Sequence, residues 1–518
     1  MVVSGSFSFS GQLFLQQPNA GFIQKKLLAA DGNTNKRWEE LGLLLIDLDK
    51  DGDLDIYAAS GGYENQNNTN AYQDRIYINN GAAEFSMDTV SLLRNFTSKS
   101  CARAFDFDKD GDLDIFVAGR VDPWNYPKPV SSFIYRNDSE NGKIILTDVN
   151  ASLSKELNSI GMICDALCTD FDNDGWTDLI LAGEWMAVTF LKNDKGIFKN
   201  VTSETGIINL KGWWNTLAPG DFDNDGDIDY LAGNMGQNSF YRASAEFPAF
   251  ITAKDFDNNG SFDAFPSLYL PDQKGIKKEY PAQTRDDIVK QMISMRTTFQ
   301  NYKTYANATM DEVLTAEQRK GAIRLEGNTT QSVYLRNDGH GKFSSIPLPA
   351  EAQFSTLNGI VVDDFDGDGN LDAILNGNDY GTEVSVGRYD ALNGLLITGD
   401  GKGNFTPHSI LQSGIFIPGN GKGLVTLMGT QGKYWVAAGQ NRGPLKVYEL
   451  KKERKNVKIN PDDMFAILTL KDGRKQKREF YFGSSFLSQS GRTLFFDNNI
   501  TAIEIINSRS EKRNIPLP

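Results

Sequence analysis

The stretch Asp106–Asp114, DFDKDGDLD, decides the reading of this chain because it does not stand alone. DLDKDGDLD begins at Asp47, DFDNDGWTD at Asp170, DFDNDGDID at Asp221, DFDNNGSFD at Asp255 and DFDGDGNLD at Asp364. Six copies of one acidic nonamer are an internal repeat, and a repeat fixes the architecture before any other signal does. Each copy lies between two short apolar runs, the second ending in glycine, as in DIYAASG, DIFVAG, DLILAG and DAILNG. That pattern reads as two strands joined by an acidic loop. A third strand and a turn follow (IYINNGAAEF, FLKNDKGIF, VYLRNDGHGKF), where Asn-Asp-Gly-type dipeptides supply the positive φ of a hairpin. Four antiparallel strands per unit predict an all-β propeller.

Successive loops begin 59, 64, 51, 34 and 109 residues apart. In the long interval, about 272–328, the pattern turns helical, with Ile288, Met292, Met295 and Phe299 on one face, which predicts a helical insertion on one blade. A last unit, Gly423 to Gly439, has two strands but no acidic loop. Counting it predicts seven blades. The N-terminal strand LFLQQ at Leu13 would then complete the last blade and close the ring, removing open sheet edges. LKVYEL at Leu445 competes for the same slot, which leaves six or eight blades open.

Within each loop, oxygen-bearing side chains recur at positions 1, 3, 5 and 9, with glycine at position 6. The candidate metal ligands are Asp47, Asp49, Asp51, Asp53 and Asp55, then Asp106, Asp108, Asp110, Asp112 and Asp114. Asp170, Asp172, Asp174 and Asp178 form the third set, and Asp221, Asp223, Asp225, Asp227 and Asp229 the fourth. Asp255, Asp257, Asn259 and Asp263, then Asp364, Asp366, Asp368 and Asp372, complete them. Alternate side chains converge when a loop curls, and hard oxygen ligands at this density suit Ca²⁺ better than the strictly octahedral Mg²⁺. An EF-hand is excluded, since Ala58 stands where its twelfth-position Glu would be and the flanks are strands. Three or four carboxylates packed without a cation would repel one another, and six Ca²⁺ ions would bring the chain's −14 to about −2.

The 518 residues are 40% hydrophobic with 49 glycines and 17 prolines, which fits a turn-rich folded chain too large for one ordinary core. A net charge of −14 argues against a general nucleic-acid or anionic-membrane binder. From Lys451 onward, 14 Lys+Arg face 8 Asp+Glu; that +6 within a total of −14 leaves −20 on residues 1–450. The break divides a propeller, 1–450, from a small β domain, 451–518, whose basic surplus is expected either to dock it on the acidic propeller or to bind an acidic partner. Two histidines, His340 and His408, leave little room for imidazole catalysis or zinc. The cysteines allow either one Cys101–Cys164 bridge or buried free thiols. No apolar run approaches a membrane span, and the N-terminus has no export signal, so either the chain stays inside the cell or it lacks its natural N-terminus.

These loops between blade strands resemble FG-GAP or VCBS repeats, the calcium-bearing propeller units also found in integrin alpha subunits, over roughly residues 10–450. The stretch from Asp472 to Phe496, DGRKQKREFYFGSSFLSQSGRTLFF, resembles the ASPIC/UnbV domain, which follows such repeats in bacterial secreted proteins and in cartilage acidic protein. GRVDPWNYP, GEWMAVTFLKN and GRYDALNG are similar to segments of a Bacteroidetes-type group of exported proteins. The resemblance implies an extracellular, cell-surface or periplasmic calcium-binding protein, here the C-terminal part of a longer one. It implies interaction with a partner rather than a defined reaction.

The end of each blade opposite its acidic loop is where a ligand face belongs. The residues that should ring it are Tyr63, Arg120, Trp124, Glu184, Trp185, Asn234, Asn378, Arg388, Gln440, Asn441 and Arg442. Guanidinium, amide, carboxylate and aromatic groups together suit a glycan or an extracellular protein. The reading is therefore a binding and adhesion module and not an enzyme. Its rivals are a calcium-dependent polysaccharide lyase, for which a Lys, Arg or Tyr base suffices, and a structural spacer.

Overall fold

The computed structural model describes residues 1–19, 21–28 and 36–517, and almost all of its regular structure is antiparallel sheet. Five sheets share one plan, in which two strands joined by an acidic loop are followed by two more. The first is built from Glu39–Ile46, Asp55–Gly61, Arg75–Asn79 and Phe85–Asp88, and the second from Ser98–Phe105, Asp114–Val121, Phe133–Asn137 and Leu146–Asp148. The third comprises Met162–Thr169, Asp178–Ala187, Thr189–Asp194 and Ile197–Asn200, with Lys211–Trp213 added beyond its second strand. The fourth is Thr216–Gly220, Asp229–Gly233, Val333–Asn337 and Phe343–Pro347; the fifth is Leu357–Asp363, Asp372–Gly377, Leu395–Gly399 and Phe405–His408. A sixth, loop-free sheet has three strands, Gly421–Met428, Tyr434–Gln440 and Lys446–Glu449.

The first strands of these six sheets stand side by side in chain order, so the architecture is propeller-like. Ser98–Phe105 and Asp55–Gly61 are buried along their whole length, because each sheet is covered on both faces by its neighbours. This explains why the strands read as continuous apolar runs rather than as alternating ones. The intersheet cores draw on the second residue of the acidic loops. Phe107 packs among Phe105, Phe116 and Phe198, Phe171 lies 5.3 Å from Phe190, and Phe222 lies 5.3 Å from Phe405 of the next sheet. Each such ring adds about 2 kcal/mol by burial and pins its loop to the wheel.

Two expectations are corrected. The N-terminal strand Gln12–Gln16 does not complete the last blade; it pairs with Val2–Val3 and Phe22–Lys26 in a separate sheet, and Lys446–Glu449 takes the edge of Tyr434–Gln440. The N-terminal sheet instead packs sideways, Phe22 lying 5.6 Å from Trp435 and Leu27 joining the core of the first sheet. Secondly, the insertion is larger than 272–328. It separates Asp229–Gly233 from its partner Val333–Asn337 and carries a sheet of its own, Ala249–Lys254, Asp263–Pro271, Lys277–Pro281 and Ile323–Gly327. The fifth acidic loop therefore sits on this inserted sheet. An interval of 34 residues is too short to hold the third and fourth strands that the other units place there.

The helical part of the insertion is five short helices between Arg285 and Arg319 rather than one. Ile288, Met292, Met295 and Phe299 do share one core with Phe265, but the chain breaks from helix at Met292. The three cysteines are free thiols, and burial pushes those of Cys101 and Cys164 up to about 11 and about 12.

Two further sheets end the chain: Lys455–Lys458 with Thr493–Phe496, and Asp463–Leu470, Lys475–Glu479, Ile500–Asn507 and Lys512–Ile515. Between them, residues 482–491 run along the first strands of the propeller-like array. Phe482 bridges Ala104, the Ser485 hydroxyl accepts the Ile360 N–H, and Gln489 exchanges both amide hydrogen bonds with the backbone of Leu45. Ser490 and Gly491 hydrogen-bond Thr426 of the sixth sheet. Buried Arg103 holds the plug, donating to the Ser485 carbonyl at 2.8 Å and the Ser488 carbonyl at 3.3 Å, and its charge is paired with buried Asp165.

Candidate metal centres and ligand face

The acidic loops share one backbone design. Position 4 is left-handed in all six (Lys50, Lys109, Asn173, Asn224, Asn258, Gly367), and so is the glycine at position 6. Two positive-φ residues in such close succession curl the loop, and only glycine takes the second at no steric cost. The curl aims its own amides inward. The position 1 carboxylate accepts the N–H of the glycine: Asp47 from Gly52 at 3.1 Å, Asp106 from Gly111 at 3.1 Å, Asp170 from Gly175 at 2.9 Å and Asp255 from Gly260 at 3.0 Å. Position 5 accepts from position 7, as Asp110 does from Asp112 at 2.9 Å and Asn259 from Ser261 at 2.7 Å.

Position 9 has a second duty that its spacing alone did not reveal. In the first, second and fourth loops this carboxylate latches the loop to the sheet through two backbone N–H groups. Asp55 accepts the N–H groups of Leu48 and Asn79, Asp114 those of Phe107 and Asn137, and Asp229 those of Phe222 and Asn337. The third-strand asparagines complete the latch by donating to the loop carbonyl at position 8, Asn79 to Leu54, Asn137 to Leu113 and Asn193 to Thr177. The asparagine recurring in YINN, YRND, LKND and LRND was the signal for this, read in sequence only as a turn former.

What remains is carboxylate without a partner. Among the described residues, every buried carboxylate oxygen lacking a hydrogen bond lies in these loops: Asp47 Oδ1, Asp53 Oδ1, Asp106 Oδ1, Asp178 Oδ2, Asp221 Oδ1, Asp223 Oδ1 and Asp257 Oδ1. Several loops bring one carboxylate oxygen from each of three residues within 4.8 Å of one another, namely Asp47/Asp49/Asp55, Asp106/Asp108/Asp114, Asp170/Asp172/Asp178, Asp221/Asp223/Asp225 and Asp255/Asp257/Asp263. Burial pushes Asp114, Asp229 and Asp372 up to about 8 and Asp178 up to about 9. Orphaned oxygens in a set of hard donors are the pattern a divalent cation satisfies, so these residues fit a metal. The third loop differs: Lys192 places its ammonium on Asp172 and 2.8 Å from Asp174.

The C-terminal sheets cover part of this end of the wheel. Lys477 donates its backbone N–H to Asp221 at 2.9 Å and its ammonium to Asn173 at 2.6 Å. Gln476 reaches Asn224 at 3.0 Å, Arg474 reaches Asn370 at 2.6 Å, and Asn499 donates to the Gly367 carbonyl at 2.6 Å. The basic surplus read in sequence thus lies partly against the third, fourth and sixth loops.

At the opposite end the expected ring divides. Arg120 and Glu184 form an ion pair, the Tyr126 hydroxyl donates to Glu184 at 2.9 Å, and Trp185 donates to Tyr126 at 2.6 Å. Trp185 is buried, 4.5 Å from Trp213. Tyr63 and Trp124 are exposed, their rings 5.9 Å apart, and Arg388 lies over Tyr380. Asn441 and Arg442 are exposed on a turn. Asn234 and Asn378 are not presented at all. Asn234 accepts the Trp213 N–H and donates to the Thr329 and Gln331 carbonyls, while Asn378 donates to those of Leu392 and Gly419. Both amides are spent in tying loops together, and Gln440 is wedged against Gly419 and Gly443. Trp213, Tyr241 and Tyr389, not among the residues expected to ring this face, line a cavity of about 150 Å³ beside Glu184.

A family model described as FG-GAP-like repeat matches residues 47–117 and 170–232, so the chain carries repeats of that type. No curated protein matches the chain. Among solved structures, BBS1N in complex with ARL6DN is 11% identical with a TM-score of 0.30, covering 80% of this chain and 93% of that one. The rhamnogalacturonan lyase YesW is 10% identical with a TM-score of 0.30, covering 89% and 74%. The exotype rhamnogalacturonan lyase YesX is 10% identical, also at 0.30, covering 94% and 76%. At such scores these likenesses do not bear on what this chain binds or does.

Proposed function

We propose that this chain is a calcium-stabilised binding module, with Ca²⁺ in the aspartate loops at one end of a propeller and an extracellular glycan or protein ligand at the other. In this reading the wheel has six blades, and its seam is held by the 482–491 plug instead of an N-terminal strand. The C-terminal sheets are an ASPIC/UnbV-like domain that locks the plug in place.

The observation that carries the reading is that, among the described residues, every orphaned buried carboxylate oxygen lies in the repeat loops. When bound, the cation supplies charge compensation for those oxygens and holds the loop curled. The chain's own residues supply the rest: position 9 aspartates latch loop to strand, and the C-terminal sheets cover part of the loop end. The far end is thereby left for recognition. There, Tyr126 is a poor candidate for a lyase base, because burial and then the Glu184 carboxylate push its hydroxyl well above the ordinary phenol range. Binding is favoured over elimination on that ground.

The test uses Trp124→Ala, since Trp124 is 60% exposed and its loss leaves the core intact. Wild type and variant, loaded with calcium, are screened against a panel of glycans and extracellular-matrix proteins. Binding lost by the variant at an unchanged melting temperature supports the reading; release of unsaturated uronates from a polysaccharide would overturn it in favour of a lyase.

A further inference from the structure

The cavity beside Glu184 has a composition unlike the rest of that face. Four aromatic rings line it, those of Trp213, Phe240, Tyr241 and Tyr389. They are also fixed. Trp213 lies 5.8 Å from Tyr241, Tyr241 lies 5.6 Å from Phe240 in an edge-on contact, and the Tyr389 hydroxyl accepts the Phe240 N–H at 2.9 Å. The segment that holds Tyr389 is tied down in turn by exchange of backbone hydrogen bonds between Asp379 and Tyr389.

The charged groups in the lining are all acidic. Glu184, Asp379 and Glu383 contribute, and no lysine or arginine does. Glu184 is neutralised by Arg120. Asp379 and Glu383 form no ion pair among the described residues; Asp379 accepts the Gly381 N–H at 2.8 Å and Glu383 the Ser385 hydroxyl at 3.5 Å. Burial holds Lys422 below the ordinary lysine range against the opposing pull of Asp379, and its ammonium donates to the Asn378 carbonyl at 3.4 Å. Two carboxylates without an ion pair therefore stand at a cavity whose remaining lining is the four aromatic rings together with Asn215, Met235, Thr356, Thr382 and Val386.

That combination selects for charge type. Aromatic faces carry negative quadrupole density and attract organic cations, most strongly where water is displaced, and carboxylates at the rim add direct Coulomb attraction. An anion or an acidic sugar would meet repulsion from the same groups. A volume of about 150 Å³ has room for a trimethylammonium head.

We infer that the cavity formed by Trp213, Phe240, Tyr241, Tyr389, Asp379 and Glu383 binds a substituted ammonium group. The inference rests on the proposed reading of this end as the ligand face, and it specifies what the ligand must carry into it. The shared chemistry occurs in a choline head group, a lysine side chain and an amino sugar.

Titration calorimetry of the full, calcium-loaded chain tests it with choline, N-acetyl-lysine amide, glucosamine, and dimethylbutanol, the neutral carbon isostere of choline. At least one cation is expected to bind saturably at one site, and the source of the ammonium follows from which of the three binds tightest. Dimethylbutanol is expected to bind weaker than choline by about tenfold or more, because it lacks only the charge. Glu383→Gln, at an exposed position, is expected to weaken the cation by about tenfold with an unchanged melting temperature. Equal binding of choline and its isostere, or no saturable binding of any of the three cations, would overturn the inference. Retention of a ligand from the glycan and matrix panel in that event would leave the ligand face itself standing, so the two readings fail separately.

Discussion

The backbone N–H of Lys477 donates to Oδ2 of Asp221 at 2.9 Å, across 256 positions of sequence. One end of this bond is a strand of the C-terminal sheet and the other is the first residue of a metal-type loop. Any ion that fixes Asp221 also fixes the acceptor on which the C-terminal sheet rests. Chelation should therefore loosen Lys475–Glu479, and hydrogen exchange of that strand should rise in EDTA and fall again with Ca²⁺. Exchange indifferent to chelator would uncouple docking from the loops.

The plug links the first and sixth sheets. Gln489→Ala removes both hydrogen bonds to Leu45 and leaves its N–H and C=O without partners between the first and sixth sheets. The expected loss is about 1–3 kcal/mol in urea unfolding. Asp165→Leu should cost more, about 3–5 kcal/mol, because it strands the fully buried Arg103 guanidinium. Unchanged unfolding of both variants would mean that this segment does not hold the sheets together.

Acidity should act on the metal-free protein in an unusual direction. The folded-state carboxyls of Asp114, Asp229 and Asp372 stand at about 8 and that of Asp178 at about 9, against an ordinary value of 3.8, with burial as the main cause. The folded chain thus binds more protons than the unfolded one, so this contribution to stability is complete below about pH 4 and is lost as pH rises through 8 to 9. In EDTA the melting temperature should fall between about pH 5 and pH 8. Calcium should suppress that fall by taking the place of the protons. A metal-free melting temperature that rises across the same window would contradict the burial of these groups.

The third loop should be the weakest calcium site, since Lys192 already places its ammonium on Asp172 and Asp174. Lys192→Met removes a competing unit charge and should tighten that site by about tenfold. Calcium titration of variant and wild type would show it as one site moving to higher affinity, and unchanged isotherms would contradict it.

Much of this was legible in the sequence, for identifiable reasons. The loops were readable because alternate aspartates and one glycine are the local requirements of a curled oxygen site, and the strands because burial on both faces leaves unbroken apolar runs. The insertion was misplaced because loop five looks like the others, although its 34-residue distance from loop four leaves no room for two more strands. Asn234 and Asn378 were assigned to the ligand face because a polar residue after a strand looks available, and only three-dimensional structure shows that its amide is already engaged. The plug was invisible for a related reason: Arg103 meets Ser485 and Leu45 meets Gln489 across more than three hundred residues, and nothing in FGSSFLSQSG signals those contacts.

Metal content decides the central claim most directly. Protein stripped with chelator, dialysed against Ca²⁺ and then against metal-free buffer, should retain several equivalents of calcium by elemental analysis, in proportion to the loops whose buried carboxylate oxygens lack partners. It should also regain a melting temperature well above that of the stripped form. Retention of no calcium, with a melting temperature unmoved by its addition, would contradict the account.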